Sequence, residues 1–318
     1  MRYWLQRIAL AVLLLLAVSA LSFGAMNVVG DPLFNILGPT AGDTGNPASV
    51  ELINQAKREY NLDKPLPVRY GIWLSEFVRG DMGVQFSKDG QPPVYDLIKE
   101  RIPRSLMLLI MAQLFATLIA IPWALAAASR ADKPIDRFST ATTFLLIALP
   151  NFALAILLKY IFGLKLQWFD LTFKAQDPFL SRIFQMFLPA LTIALPAAAI
   201  YQRLLRTDLI TTLQEDFILM ARSKGVSRRR VLFRHALRPS LFSFVTVIGL
   251  NTGALIGGSI VVESVFIIPG LGTSLVVAVL RGDFPVVLAI VMIVATAFVL
   301  INLLVDVVYS IIDPRVRR

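Results

Sequence analysis

Six stretches of this chain contain no Asp, Glu, Lys or Arg: 8–30, 105–129, 138–158, 183–202, 240–262 and 284–305. A helix rising ~1.5 Å per residue needs about 20 residues to cross about 30 Å of hydrocarbon, and each stretch is about that long or longer. One such run could be a buried helix of a soluble core. Six in one chain, with 56% hydrophobic and 16% charged residues against the roughly 25% charged of soluble domains, point to an all-α polytopic membrane protein. The first run invites a second reading, a cleaved signal peptide, because Arg2 and Arg7 precede an apolar stretch that includes Val18-Ser19-Ala20. That stretch exceeds the usual apolar length of about 7 to 15 residues, so a retained membrane helix is expected.

There is no Cys and a single His, His235. Disulfide frameworks, thiol nucleophiles and Cys-rich zinc or iron–sulfur sites are excluded, and a histidine metal cluster is not expected. The net charge of +10 does not imply nucleic acid, because the cations lie in the connections between apolar runs. With the N-terminus inside, interior connections carry 17 Lys and Arg and exterior ones 13, nine of them in one long loop; Lys159 lies at a span end. Long loops count weakly in the charge rule, so both termini are expected in the cytoplasm.

The resulting organisation is a first helix in 1–30, an extracytoplasmic loop in 31–104, a five-helix core in 105–312 containing an inner loop at 203–239, and a short cytoplasmic tail in 313–318. The outer loop carries ten acidic and nine basic residues. Within it, 49–60 reads as a helix capped by Ser49, with Leu52, Ile53 and Ala56 at helical spacing. A flexible linker is the alternative.

In the inner loop, Leu213, Phe217, Met220 and Ala221 fall at i, i+4, i+7 and i+8, one face of a short helix that Gly225 would stop with a left-handed cap. Ser227 is placed to cap a second helix through Val231, Leu232 and Ala236. Asp216, Arg222, Lys224 and the triplet Arg228, Arg229, Arg230 flank the apolar face. Such a face either meets a partner or rests on anionic headgroups. Inside the spans, Asn151, Asn251, Gly253, Gly257 and Asn302 are candidates for lining a pathway, since polar groups in hydrocarbon face protein or water. Interhelical hydrogen bonding and small-residue packing explain them equally well. Pro150, Pro189 and Pro196 are expected to kink their helices.

The segment from Thr211 to Gly225, Thr-Thr-Leu-Gln-Glu-Asp-Phe-Ile-Leu-Met-Ala-Arg-Ser-Lys-Gly, followed by Arg234-His235-Ala236-Leu237-Arg238, resembles the cytoplasmic "EAA" loop of ATP-binding-cassette importer permeases of the dipeptide, oligopeptide and nickel group. Leu62-Asp63-Lys64-Pro65-Leu66-Pro67 and Arg79-Gly80-Asp81-Met82-Gly83 resemble that group's first periplasmic loop. Glu263-Ser264-Val265-Phe266 through Pro269-Gly270-Leu271-Gly272 resembles its loop before the last helix, and Asn302-Leu303-Leu304-Val305-Asp306 with Asp313-Pro314-Arg315-Val316-Arg317 its C-terminal signature. Leu219 and Met220 stand where the general loop pattern has Glu and Ala, and the closing Leu-Pro is here Leu237-Arg238-Pro239.

The resemblance implies a six-helix permease of the type I importer fold in a bacterial inner membrane. It would form half of a path for short peptides beside a second homologous permease, served by two cytoplasmic ATP-binding subunits and an extracytoplasmic binding protein. Nickel chelates or another small ligand of the same group are the competing cargo. Leu213, Asp216, Phe217, Met220, Ala221, Arg222, Lys224 and Gly225 would then form the ATPase-coupling loop. Ala221 and Gly225 would allow close approach, Phe217 would anchor, and Asp216 and Arg222 would fix register. The chain has no Gly-rich loop ending in Gly-Lys-Ser/Thr, so ATP and Mg are expected in partner chains and no catalysis in this one. A secondary transporter would often carry duplicated halves and a charged mid-membrane coupling residue. An intramembrane protease would need a Gly-x-Ser-x-Gly or His-Glu-x-x-His constellation. Neither pattern is in this sequence.

Overall fold

The computed structural model describes residues 2–29, 32–86 and 90–312. In chain order the helices are α1 (Arg2–Val29), α2 (Pro32–Leu37), α3 (Pro47–Glu59), α4 (Leu66–Val78), α5 (Val94–Ala128), α6 (Pro134–Ala148), α7 (Asn151–Leu158), α8 (Phe179–Thr212), α9 (Asp216–Ser223), α10 (Arg228–Arg230), α11 (Leu237–Val265), α12 (Leu271–Arg281) and α13 (Phe284–Ile312). The extended pairing among the described residues is a single antiparallel bridge, Val84 to Pro93. The C-terminal signature from Asp313 and the tail 313–318 lie outside the described residues.

Five helices are long and apolar enough to cross a membrane: α1, α5, α8, α11 (extended back to Arg228) and α13. The third expected span is not one straight helix. α6 and α7 meet at an angle of 104°, so the run is a broken pair. The break falls at Leu149-Pro150. Proline drives the preceding residue out of the helical region, and Leu149 is extended, with φ −76° and ψ 123°. By contrast, α8 continues through Pro189 and Pro196 as one helix of 34 residues.

The chain forms two compact units, Met1–Pro103 with Gly270–Leu300 and Arg104–Pro269 with Ile301–Arg318. In the first unit, α4 presents Tyr70, Trp73 and Phe77 at i, i+3 and i+7. Phe23 of α1 lies 5.7 Å from the Tyr70 ring and 5.5 Å from that of Trp73, and the Ser19 and Tyr70 hydroxyls share a 2.7 Å hydrogen bond. This α4 helix went unpredicted from sequence. In α3 the cap is Asn46, whose side chain accepts from the Ala48 N–H at 3.0 Å, with Pro47 as the first helical residue. Asn before Pro suits the cap and first-turn positions better than a Ser two residues later. Ser49 instead lies within the helix and donates to Asp43. The first turns of α5 (Val94, Ile98) pack with Leu271 and Ala278 of α12 and Val286 and Ile290 of α13.

The second unit is organised by small residues. On α5, Leu108, Ala112, Ala116, Ala120 and Ala124 recur every four residues and are fully buried. α8 repeats the spacing with Met186, Ala190, Ala194 and Ala198, also fully buried. The two rows share one core with Phe244, Leu255 and Val262 of α11. Gly249 of α11 meets Val305, and a Cβ on it would lie 2.2 Å from a Val305 methyl, so only glycine fits there.

Enlarging this seam should be costly. Ala116→Leu is expected to destabilise by about 1–3 kcal/mol through overpacking. Leu118→Ala, at a residue 60% exposed, is expected to change stability by less than about 0.5 kcal/mol. Denaturation midpoints in detergent check the pair, and equal shifts would contradict the seam.

Candidate functional site

α8 ends where the N–H of Leu213 bonds the Leu209 carbonyl at 2.9 Å. Leu213 therefore terminates α8 and does not belong to the short helix predicted to include it. A tight turn through Glu215 leads into α9, with Asp216 in its first turn and Arg222 in its last. Both charges complement the helix dipole. Gly225, at φ +76°, supplies the left-handed stop. The Val226 N–H closes the cap on the Ala221 carbonyl at 3.2 Å, and the Gly225 N–H bonds Arg222 at 3.0 Å. Ser227 occupies the next cap position without a side-chain bond, and α10 continues through π-type turns over Val231–Ala236 into α11. The expected second helix is thus the start of the α11 rod.

The face of α9 differs from the sequence expectation. Ile218 is fully buried in the core of the second unit and Ala221 is 9% exposed, whereas Phe217 and Met220 are 45% and 59% exposed. Ala221 therefore packs inward and lies apart from the free apolar face, which Phe217, Leu219 and Met220 share. Lys224 and Arg222 are exposed beside them. The four consecutive apolar residues from Phe217 to Met220 have no unique helical phase, which is why Ile218 escaped sequence reasoning. At the base of the loop the hydroxyls of Thr212 and Ser240 meet at 3.2 Å. From α10, Arg228 donates to the Ser129 carbonyl at 2.6 Å.

The intramembrane candidates divide. Asn251 donates to the Tyr201 hydroxyl at 3.3 Å, and Tyr201 donates to Gln113 at 3.1 Å, which forms a polar chain across α11, α8 and α5. Asn151 packs against Gly258, its amide nitrogen 2.8 Å from where a Cβ would stand. Gly257 faces open space, and Asn302 and Gly253 are partly exposed, so the five do not form one closed cluster.

Sequence reasoning missed the most polar interhelical seam. α6 lays Asp136, Ser139 and Thr143 against α8, where Arg206 donates through two nitrogens to the Asp136 carboxylate. Gln202 accepts from Thr143 and donates to Ser139, each at 3.0 Å. The signal was available in the i, i+3, i+7 spacing of those three α6 residues. Glu263 is likewise fully buried and accepts from Ser105 at 2.6 Å. Lys159 donates to the Val265 carbonyl at 2.7 Å and lies over the Phe266 ring.

A cavity of about 400 Å³ in the first unit is walled by Phe23, Tyr60, Trp73 and Phe86, with Arg69 and Glu76 at its polar side. Burial, reinforced by the neighbouring Glu59, pushes the Tyr60 phenol above its ordinary pKa, against a smaller opposing effect of its hydrogen bond to Gln91. It is held as a neutral donor, 2.7 Å from the Gln91 side-chain oxygen. Among the described residues no cluster of three or more His, Cys, Asp or Glu is placed to hold a metal.

A bundle of apolar helices with a folded loop and an exposed apolar edge defines a multi-pass membrane protein. Residues 120–318 match the family described as binding-protein-dependent transport system inner membrane component. The chain is 35% identical over 324 residues to the oligopeptide transport system permease protein AppB of Bacillus subtilis, covering 99% of this chain and 98% of that one. It is also 35% identical over 318 residues to the glutathione transport system permease protein GsiC of Salmonella paratyphi A, covering 100% and 99%. The chain belongs to this family of inner-membrane permease components.

The inward face of α9 generates an expectation for the loop alone. Ala221→Glu would bury an unpaired carboxylate beside Ile218, at a cost of several kcal/mol. Gly225→Val would strain the cap by about 1–3 kcal/mol. Both are expected to speed proteolysis after Arg222 and Lys224 in the purified permease, while Phe217→Ala leaves the rate near the parent's. Parent-like protection of Ala221→Glu would contradict the inward packing.

Proposed function

We propose that this chain forms half of a translocation path for short peptides and takes up the work of cytoplasmic ATPases through the loop at 203–239. The observation that carries the reading is the outer edge of α9. Phe217 and Met220 stand exposed on a helix whose other side is locked into the core, with Asp216, Arg222 and Lys224 around them. An apolar edge rimmed by charge suits a helix-in-groove contact, in which the apolar anchors give affinity and the charges register. Ala221 and Gly225 act in this reading by holding the loop's shape, and Leu213 by ending α8.

The two cited relatives are named for oligopeptide and glutathione transport, both peptidic cargoes, which supports peptides over nickel chelates for this chain. Selectivity falls mainly to the extracytoplasmic binding protein, because the polar groups found inside the second unit are largely committed to one another, as in the chain from Gln113 to Asn251. ATP and Mg belong to the ATPases, and a second permease completes the path. Both termini lie in the cytoplasm, with 31–104 outside.

Phe217→Asp combined with Met220→Asp is expected to leave insertion unchanged and to abolish co-purification of the ATPases and substrate-stimulated ATP hydrolysis. Variants that keep both would remove the loop from the coupling role. In this Cys-free chain, Lys57→Cys is expected to label from the outer face of intact cells, and labelling only from the cytoplasmic side would reverse the topology. Peptide uptake that stays selective after deletion of the binding protein would contradict the division of selectivity.

A further inference from the structure

A second concave site lies in the Arg104–Pro269 unit, away from the outer edge of α9. Where α5 ends and α6 has yet to begin, Arg130 and Lys133 face Arg228 and Arg229 of α10 across a cavity of about 380 Å³ floored by Leu232 and Phe233. Four of its seven lining residues are cations and none is acidic. All four cations are exposed, and among the described residues none is paired with a carboxylate. Asp136 is already committed, gripped by Arg206 and accepting from the Asp132 N–H at 3.0 Å, and the exposed Asp132 carboxylate in the same turn makes no ion pair with the four cations. Two of the four cations, Arg228 and Arg229, are held in place. Arg228 is fixed by its bond to the Ser129 carbonyl, which leaves its other guanidinium donors unspent, and Arg229 lies over the Phe233 ring at 5.9 Å.

We infer that this cleft binds the phosphate of an anionic glycerophospholipid. Two arginines with free donors match the bidentate geometry of a phosphate. The volume far exceeds the roughly 30 Å³ share of one water, so there is room for the glycerol part as well. The position fits a lipid better than a free anion. The charge-free apolar run of α5 stops at the residue that opens the cleft, which places it at the depth of a headgroup. Ile135 and Phe138, in the first turns of α6, are 45% and 75% exposed and offer apolar surface to acyl chains. Basic pockets beside spans recognise anionic headgroups by this combination of charge and depth.

The test uses the permease purified with its partner chains in detergent. Bound lipid is counted after incubation with phosphatidylcholine vesicles, or with vesicles of equal parts phosphatidylcholine and phosphatidylglycerol, and competition by inorganic phosphate is measured. The parent is expected to retain phosphatidylglycerol preferentially. Arg228→Gln with Arg229→Gln should weaken that retention roughly thirtyfold, or about 2 kcal/mol at about 1 kcal/mol per cation near the surface. Arg137→Gln, an exposed cation outside the cleft, should behave as the parent. Should the double Gln variant fold poorly, Arg228→Lys with Arg229→Lys keeps the charge and is expected to keep the preference, while Arg130→Gln weakens it. Equal retention of the two lipids, or a double Gln variant that binds as the parent, overturns the proposal. Displacement by inorganic phosphate as effective as by phosphatidylglycerol reassigns the site to the free anion and overturns the lipid reading. Loss of the ATPases with lipid retention intact would show the cations facing a protein carboxylate, and overturns it too.

Discussion

Inside a bilayer two helices gain little hydrophobic energy by meeting, because lipid tails are as apolar as the side chains they would replace. What remains is dispersion, which requires backbones to approach closely. The four-residue alanine rows of α5 and α8, buried in one shared core, offer the smooth surfaces that such approach needs. Residues at this spacing share one helix face, so five fully buried positions on α5, from Leu108 to Ala124, form a continuous smooth strip. Larger residues are set beside it: Phe115 meets Phe187 with ring centroids 5.0 Å apart. Polar side chains of neighbouring helices also come within bonding distance in this unit, as in the chain Gln113, Tyr201 and Asn251.

The polar seam between α6 and α8 follows from a different constraint. A carboxylate as buried as Asp136, 3% exposed, is tolerated only when its charge is matched and its oxygens are bonded. Arg206 satisfies both conditions. The pair therefore fixes register between two helices more than it adds net stability, since replacement of a buried pair by apolar residues is often neutral. The break at Leu149-Pro150 makes the seam possible. It lets α6 lie along α8 while α7 turns away at 104° to pack on α11 and α8. A straight span through the same run would keep α6 and α7 collinear.

Element type was largely legible in the sequence, because charge-free runs of about 20 residues have few structural solutions once water is removed. What the runs could not show was continuity. Pro150 ends a helix and Pro189 does not, although each is proline in an apolar segment, because tertiary packing of the fully buried Ala190 and Ala194 around the latter favours an unbroken rod. Local caps divided in the same way. Gly225 was readable because a left-handed stop has few alternatives. Ser49 was misread because Asn46-Pro47, three residues earlier, offers the stronger cap. For α9 a short helix was legible and its phase was not: the run of four apolar residues from Phe217 to Met220 leaves it to the surrounding core to bury Ile218 together with the neighbouring Ala221.

That choice has a mechanical consequence. α9 hangs between two long rods, the 34 residues of α8 and the 38 from Arg228 to Val265. The rods are joined at its base by Thr212 and Ser240, and Ile218 ties the helix into the core they share. Its few flexible joints are the turn at Leu213 to Glu215 and the cap at Gly225 to Ser227, each only about three residues and each closed by backbone hydrogen bonds. A short helix so held has little freedom to move alone. A load applied at Phe217 and Met220 would, in the proposed role, be carried into α8 and α11 together, and those two helices are extensively paired. Complete burial of Ile218 gives the loop the rigidity that the proposed coupling role would require.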